Sequence, residues 1–180
     1  MLLDNDLRRS DPGIVKYGKM ESPVGLLTIA GDEDGLHFIL FSTGNRASSP
    51  GRDWQESSCR VIDEAIRQLR AYFAKTLTRF DLPLRPEGTP FQMEVWRELL
   101  KIPYGKTISY GELAGRIGRP NASRAVGAAN GSNPIPIVIP CHRVIGSKGE
   151  LIGYGGGLQI KRTLLELESP GSKTPALPGL

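Results

Sequence analysis

The stretch 86–90, Pro-Glu-Gly-Thr-Pro, divides this chain into two parts that read with different periods. Upstream, short runs of strand character at 14–20, 25–30 and 36–41 are separated by Ser-Pro and by Gly-Asp-Glu-Asp-Gly, both turn signals. They predict an antiparallel meander. The Gly/Ser/Pro-rich stretch 43–58 reads as a loop. Apolar residues at Val61, Ile62, Ala65, Ile66, Leu69, Tyr72 and Phe73 then recur at helical spacing, which predicts a helix over 60–74. A further strand is expected over 80–84. Residues 1–85 thus read as a small α/β unit of structural role that opens with a loose polar arm over 1–13.

Downstream of 86–90 the pattern is helical. Thr89 followed by Pro90 is the favoured arrangement at a helix start. The apolar face Phe91, Val95, Trp96, Leu99 and Leu100 follows, and Ile102-Pro103-Tyr104-Gly105 ends it. Ser109 with Glu112 three residues on forms a capping box for a second helix to about 117. Residues 118–121 make a turn. A third helix over 122–130 is rich in small residues, with Ser123 and Arg124 near its start. A short helix, a tight turn and a second helix trace a helix-turn-helix, although many helical hairpins share that outline. A last amphipathic helix spans 158–168. The catalytic unit is placed at 91–168, with a disordered Pro/Gly/Ser-rich tail over 169–180.

The chemistry concentrates at Ile139-Pro140-Cys141-His142-Arg143-Val144. A thiol is nucleophilic only as thiolate, and a neighbouring base and positive charge are what make it reactive. The bland alternative is a packed, inert cysteine. Two features favour function. The apolar, Pro-bracketed run 135–140 suits an extended segment that delivers Cys141 to a fixed spot. The glycines that follow, from Gly146 to Gly157, suit close approach of a ligand to backbone.

Composition narrows the classes. With 180 residues and a hydrophobic fraction of 39%, the chain has enough apolar material for a packed core. No apolar run approaches a membrane span of about 20 residues, and the acidic N-terminus does not read as a signal peptide. Two cysteines far apart suit a reducing compartment better than a disulfide framework. Cys59 and His37 have no ligand spacing to the 141–142 pair, so no metal site is expected, and Cys59 reads as a packed thiol. Residues 1–90 hold 12 Lys/Arg against 13 Asp/Glu, and residues 91–168 hold 10 against 6. The reactive half is the basic half, which is compatible with a polyanionic partner and equally with an ordinary solvated surface.

At this point the motifs converge. Thr89-Pro90-Phe91-Gln92, Val95-Trp96, Ile102-Pro103-Tyr104-Gly105, Ser109-Tyr110, Arg124-Ala125-Val126-Gly127, Asn133-Pro134, the Pro-Cys-His-Arg-Val core and Gly153-Tyr154 stand in the order and spacing of one family. Over 89 to about 168 the chain resembles the O6-alkylguanine-DNA alkyltransferases. That resemblance implies a ribonuclease H-like α/β N-terminal domain of short antiparallel sheet plus helix, and a mostly α C-terminal domain with a winged-helix-like helix-turn-helix. It implies a self-inactivating repair protein that needs no cofactor.

By the same resemblance, Cys141 attacks the alkyl carbon on guanine O6 (with O4-alkylthymine a further candidate), and the thioether is permanent. His142 acts through a bound water as base. Glu168 on the last helix orients His142 in a triad-like relay, with Glu166 the alternative by spacing. Tyr110 donates a proton to the leaving base and crowds the DNA phosphate. Arg124 fills the stack after the nucleotide is flipped out of double-stranded DNA. Ser123, Ala125, Gly127, Ala128 and Ala129 let the helix lie close in the minor groove. Asn133 bridges the helix-turn-helix to the active-site loop. Pro136, Tyr154, Gly155 and Gly156 wall the base pocket, and backbone groups at Cys141, Val144 and Gly155 read the guanine edge.

The resemblance further implies a protein that is monomeric in solution and not bound to a membrane; whether it assembles cooperatively on DNA is left open by the sequence. It would act in the cytoplasm beside the nucleoid, or in the nucleus of a eukaryote. One departure is Gly155, where some relatives carry a serine able to bond O6; a backbone N–H alone would loosen the pocket. The rival readings are a non-catalytic lesion-binding protein, an alkylation-sensing regulator and a cysteine hydrolase.

Overall fold

The computed structural model describes residues 14–44 and 47–171. The arm expected over 1–13 and the tail beyond 171 lie outside them. Three strands form the expected meander. β1 (Lys16–Met20) pairs antiparallel with β2 (Leu27–Gly31), and β2 with β3 (Leu36–Phe41). A fourth strand, β4 (Gln55–Glu56), joins β1 in parallel, so the order is β3-β2-β1-β4.

β4 lies inside the stretch read as a loop. It is short and exposed, so no apolar alternation announces it. Glu56 earns the position by accepting from Tyr17 Oη and Lys19 Nζ, both at 3.0 Å. The strand expected over 80–84 contracts to a single bridge between Leu36 and Leu84. Pro83 has no N–H to extend a ladder, and only its carbonyl takes part, accepting from Leu36 N at 2.8 Å.

α1 (Arg60–Phe73) covers the sheet with Val61, Ile62, Ala65, Leu69, Tyr72 and Phe73, as its spacing predicted. Gly18 lets it come close, since a Cβ there would lie 3.2 Å from Ile62 Cγ2. In the C-terminal half, α2 (Pro90–Leu99) and α3 (Tyr110–Arg116) both open with complete capping boxes. Gln92, the box residue of α2, also donates to Ser132 Oγ at 2.9 Å. α4 (Ser123–Gly131) starts one residue later than expected, and Ala122 at its N-cap offers no side-chain acceptor. Trp96 is buried between α2 and α4 and donates Nε1–H to Ala129 O at 2.8 Å.

A two-residue parallel ladder completes the wing-like element, β5 (Ile108–Ser109) against β6 (Val144–Ile145). α5 (Leu158–Glu168) matches its expected span. One apolar core runs through both halves of the chain. No described helix is long and apolar enough to cross a membrane.

The α2 capping box ties the linker to the helix-turn-helix. Thr89→Ala removes the acceptor for Gln92 N, and an N-cap loss of this kind costs about 1 kcal/mol. Denaturant unfolding is expected to show that loss with an unchanged m-value.

Candidate active site

The segment before Cys141, expected to be extended, is a folded loop. Asn133 clamps it from both ends: Nδ2 donates to Ile139 O at 2.8 Å and Oδ1 accepts from Ile135 N at 3.0 Å. Ile137 inside the loop sits at φ 75°, a conformation rare for a β-branched residue, and it is wholly buried. The chain then turns into a 3₁₀ segment, Cys141–Arg143. Pro136 and Pro140 lack the N–H groups that a ladder needs, which is why the apolar run does not continue as a strand. Asn130 Nδ2, at 3.3 Å from Cys141 O, anchors the turn to α4.

The turn sends neighbouring side chains apart. His142 and Arg143 point inward to Glu168 at the end of α5. Glu168 Oε1 accepts from His142 Nε2 at 2.9 Å, Arg143 Nη2 at 2.9 Å and Tyr72 Oη at 2.8 Å. Its Oε2 accepts from Arg143 Nε at 2.8 Å and Gly105 N at 3.1 Å. Glu166 is exposed, so the choice left open between the two glutamates falls to Glu168. Gly105 has φ +70°, and a Cβ there would lie 2.8 Å from Glu168 O, so no other residue fits easily.

Burial raises the Glu168 carboxyl. The hydrogen bonds and charges of His142 and Arg143 overcome it and hold the group well below the usual carboxylate range. Burial lowers the basicity of His142, against the pull of Glu168. The two directions agree, because Arg143 already balances the carboxylate and the imidazole need not be charged. A neutral imidazole facing an ionised carboxylate places its proton on Nε2. Nδ1 is then a lone pair, and it is buried with no hydrogen-bond partner among the described residues.

The thiol itself is shielded. Cys141 is 4% exposed. Burial pushes it up to about 11, against smaller lowering contributions from Asn133 and Lys161. The resting group is therefore the thiol. Arg143, expected to supply positive charge to the sulfur, spends its guanidinium on Glu168 and on Ile102 O instead. The nearby charge is Lys161, fully buried on α5, whose Nζ donates to Val144 O at 2.6 Å and Ile152 O at 2.8 Å. Burial pulls Lys161 down to about 8.

Two cavities meet here. One of about 210 Å³ holds Cys141 with Asn133, Pro136, Tyr154, Gly155 and Gly156. The other, about 490 Å³, is lined by Tyr110, Ser123, Arg124 and Gly127 and shares Tyr154 and Gly155 with the first. Arg124 and Ala125 are exposed on α4. Tyr110 Oη donates to Ile152 O at 3.0 Å, and burial pushes the phenol up to about 12. Ala129 does not share this surface. It is buried, and its carbonyl faces Trp96, because the α4 face toward α2 must be apolar. Val144 lines neither cavity; its N–H donates to Cys141 O and its carbonyl accepts from Lys161.

Three contributors escaped the sequence reading. Lys161 had a signal, since it and Glu168 stand seven residues apart on the buried face of an otherwise apolar stripe. Asn130 had a weaker one, as a polar residue amid the small residues of α4. Tyr72 had none; it reads as core of α1, and the N-terminal half was expected to carry no chemistry. Among the described residues no cluster of His, Cys, Asp or Glu is arranged to cage a metal.

A helix-turn-helix unit that shelters a cavity-lining thiol, backed by an imidazole–carboxylate pair, defines a class of DNA-directed cysteine proteins. The profile of the 6-O-methylguanine DNA methyltransferase DNA-binding domain matches residues 90–170, and that of its ribonuclease-like domain matches 15–86. A methylated-DNA–protein-cysteine methyltransferase of Methanosarcina acetivorans is 53% identical over 152 residues, 84% of this chain and 97% of its own length. The crystal structure of Mycobacterium tuberculosis OGT in complex with DNA superposes with a TM-score of 0.78 at 48% identity, covering 87% of this chain and 96% of that one. The chain belongs to the 6-O-methylguanine DNA methyltransferase family.

The raised thiol makes a direct prediction. Below a pKa of about 11, each unit of pH increases the thiolate fraction tenfold. Labelling of Cys141 by iodoacetamide is expected to climb from pH 7 to pH 10 with no plateau. A plateau near pH 7 would mean an activated resting thiolate.

Proposed function

We propose that this chain repairs alkylated DNA by direct reversal, moving the alkyl group of O6-alkylguanine irreversibly to its own Cys141. The observation that carries this reading is the locked imidazole: Glu168 holds His142 Nε2–H, so Nδ1 stands as a buried base beside a cavity-lining thiol. No hydrogen bond joins Cys141 to His142 directly. One water between them passes the thiol proton to Nδ1 as sulfur attacks carbon. The S–C bond forms and the C–O6 bond breaks. The departing guanine takes a proton from Tyr110 Oη, which holds it firmly until that moment. Solvent exchange then resets both side chains. The thioether has no leaving route, so each molecule acts once.

A thiol held neutral before substrate arrives suits a single-use protein. Its proton leaves only when the alkylated base fills the site, and stray electrophiles do not consume it. Lys161 lends positive charge to the sulfur and to the phenol as negative charge develops there, its Nζ lying 5.7 Å from the centre of the Tyr110 ring.

The guanine O6 lies inside the duplex, so the nucleotide must leave the stack. Arg124 is exposed at the start of α4 and takes the vacated space, with Ala125 and Gly127 allowing close approach to the minor groove. The uncapped first turn of α4 offers N–H groups to a phosphate. Residues 91–168 carry this chemistry, joined through 86–90 to the unit 1–85. The protein works on DNA as a monomer, in the cytoplasm beside the nucleoid or in a eukaryotic nucleus. The presence of Cys141 counts against a purely lesion-binding role.

Incubation with an O6-methylguanine oligonucleotide is expected to add one methyl mass to the tryptic peptide containing Cys141, with no more than one lesion repaired per chain. Multiple turnover, or no mass gain, overturns the reading. Arg124→Ala is expected to slow repair of duplex at least tenfold more than reaction with a free alkylated base. Equal losses on the two substrates exclude extrusion as its role.

A further inference from the structure

The cavity that holds Cys141 is closed on one side by the N-terminal half of the chain. β3 is the edge strand of its sheet, and the end of that strand, from Phe38 to Phe41, lines the chamber opposite the cysteine loop. The contact is stitched by backbone: Ile39 N donates to Pro134 O at 2.9 Å. It is also packed. The Phe41 ring lies 5.9 Å from that of Tyr154, and a Cβ on Gly156 would come within 2.9 Å of Phe41 Cδ2. Gly44, at φ +98°, lies against the Gly156 carbonyl so closely that a Cβ would collide with it.

The chamber adjoins the cavity lined by Arg124 and Tyr110, with Gly131, Tyr154 and Gly155 common to both, and Cys141 lines only the chamber. In an in-line displacement the sulfur, the reacting carbon and the departing oxygen lie on one axis. Every substituent on that carbon projects sideways from the axis. A methyl group has only hydrogens to place there. A longer chain must put its remaining carbons into space beside the sulfur, and it stays there because the thioether is permanent. The apolar walls of that space are Pro134, Pro136, Phe38 and Phe41. Its 210 Å³ is roughly seven times the volume of one water molecule.

We infer that the end of β3 is the size gate for the transferred group: Phe41, with Phe38 on the same wall of the chamber, sets how large an alkyl or arylalkyl chain on guanine O6 Cys141 accepts. This rests on the alkyl-transfer reading above. The N-terminal half then selects substrate directly, in addition to supporting the fold.

The test compares single-turnover rates on duplexes carrying O6-methylguanine and O6-benzylguanine, for the wild-type chain and for Phe41→Leu and Phe38→Ala. The readout is the benzyl-to-methyl rate ratio, which cancels general losses of folded protein. Opening the wall is expected to raise that ratio at least fivefold in Phe41→Leu, with Phe38→Ala moving it the same way. Should Phe41→Leu not fold, the rise in Phe38→Ala decides alone. A ratio unchanged from wild type in each folded variant overturns the size gate, whatever the absolute rates. Absence of methyl transfer by the wild-type chain would instead overturn the underlying reading, so the two failures are distinct.

Discussion

The carboxylate of Glu168 is the interaction on which the rest of the site depends. It is nearly inaccessible to solvent and gathers four donor residues from three separate parts of the chain: Tyr72 in α1, Gly105 after α2, and His142 with Arg143 in the cysteine turn. Burying a bare carboxylate is prohibitive unless it is paired and hydrogen-bonded. Here the Arg143 fork supplies the charge and the others complete the shell. Removing one partner of such a buried pair costs about 3–5 kcal/mol, because the other charge is left uncompensated. The same group therefore locks the reactive turn onto α5, fixes the imidazole tautomer and joins the two halves of the fold.

That arrangement explains a division of labour between adjacent residues. An arginine next to a histidine next to a cysteine reads as a cluster that activates sulfur. The 3₁₀ turn separates them instead. Arg143 neutralises the carboxylate, which leaves His142 free to stay neutral and basic at Nδ1. Cys141 alone turns toward the cavity, protonated by burial, with Lys161 as the nearest compensating charge. Under the proposed alkyl transfer, the sulfur gains nucleophilicity only when its proton has somewhere to go, which couples reactivity to occupancy of the site.

The N-terminal half takes part at two points. Tyr72 completes the shell of Glu168, and β3 closes the chamber around Cys141. Neither contact is chemical in type. One is a phenol amid aromatic core, with Phe73, Phe80 and Tyr104 around it; the other is the edge of a sheet. Both reach the site only because the cysteine loop and the end of α5 pack against them.

Much of this was legible in the chain itself. Helix starts at Thr89-Pro90 and Ser109 through Glu112, the apolar stripes of α1, α2 and α5, and the Cys-His pair are local patterns. Local hydrogen bonding and side-chain periodicity determine them without reference to distant residues. What only the tertiary structure decided are relations between residues far apart in sequence. It selected Glu168 over Glu166 by burial, turned Ala129 inward and Ala125 outward, and folded the segment before Cys141, expected to be extended, into a clamped loop. It also set Tyr72 against a carboxylate 96 positions away. A sequence specifies which side chains are apolar, charged or turn-forming. Desolvation and long-range pairing, which decide what a carboxylate or a thiol does, exist only once the chain has closed around them.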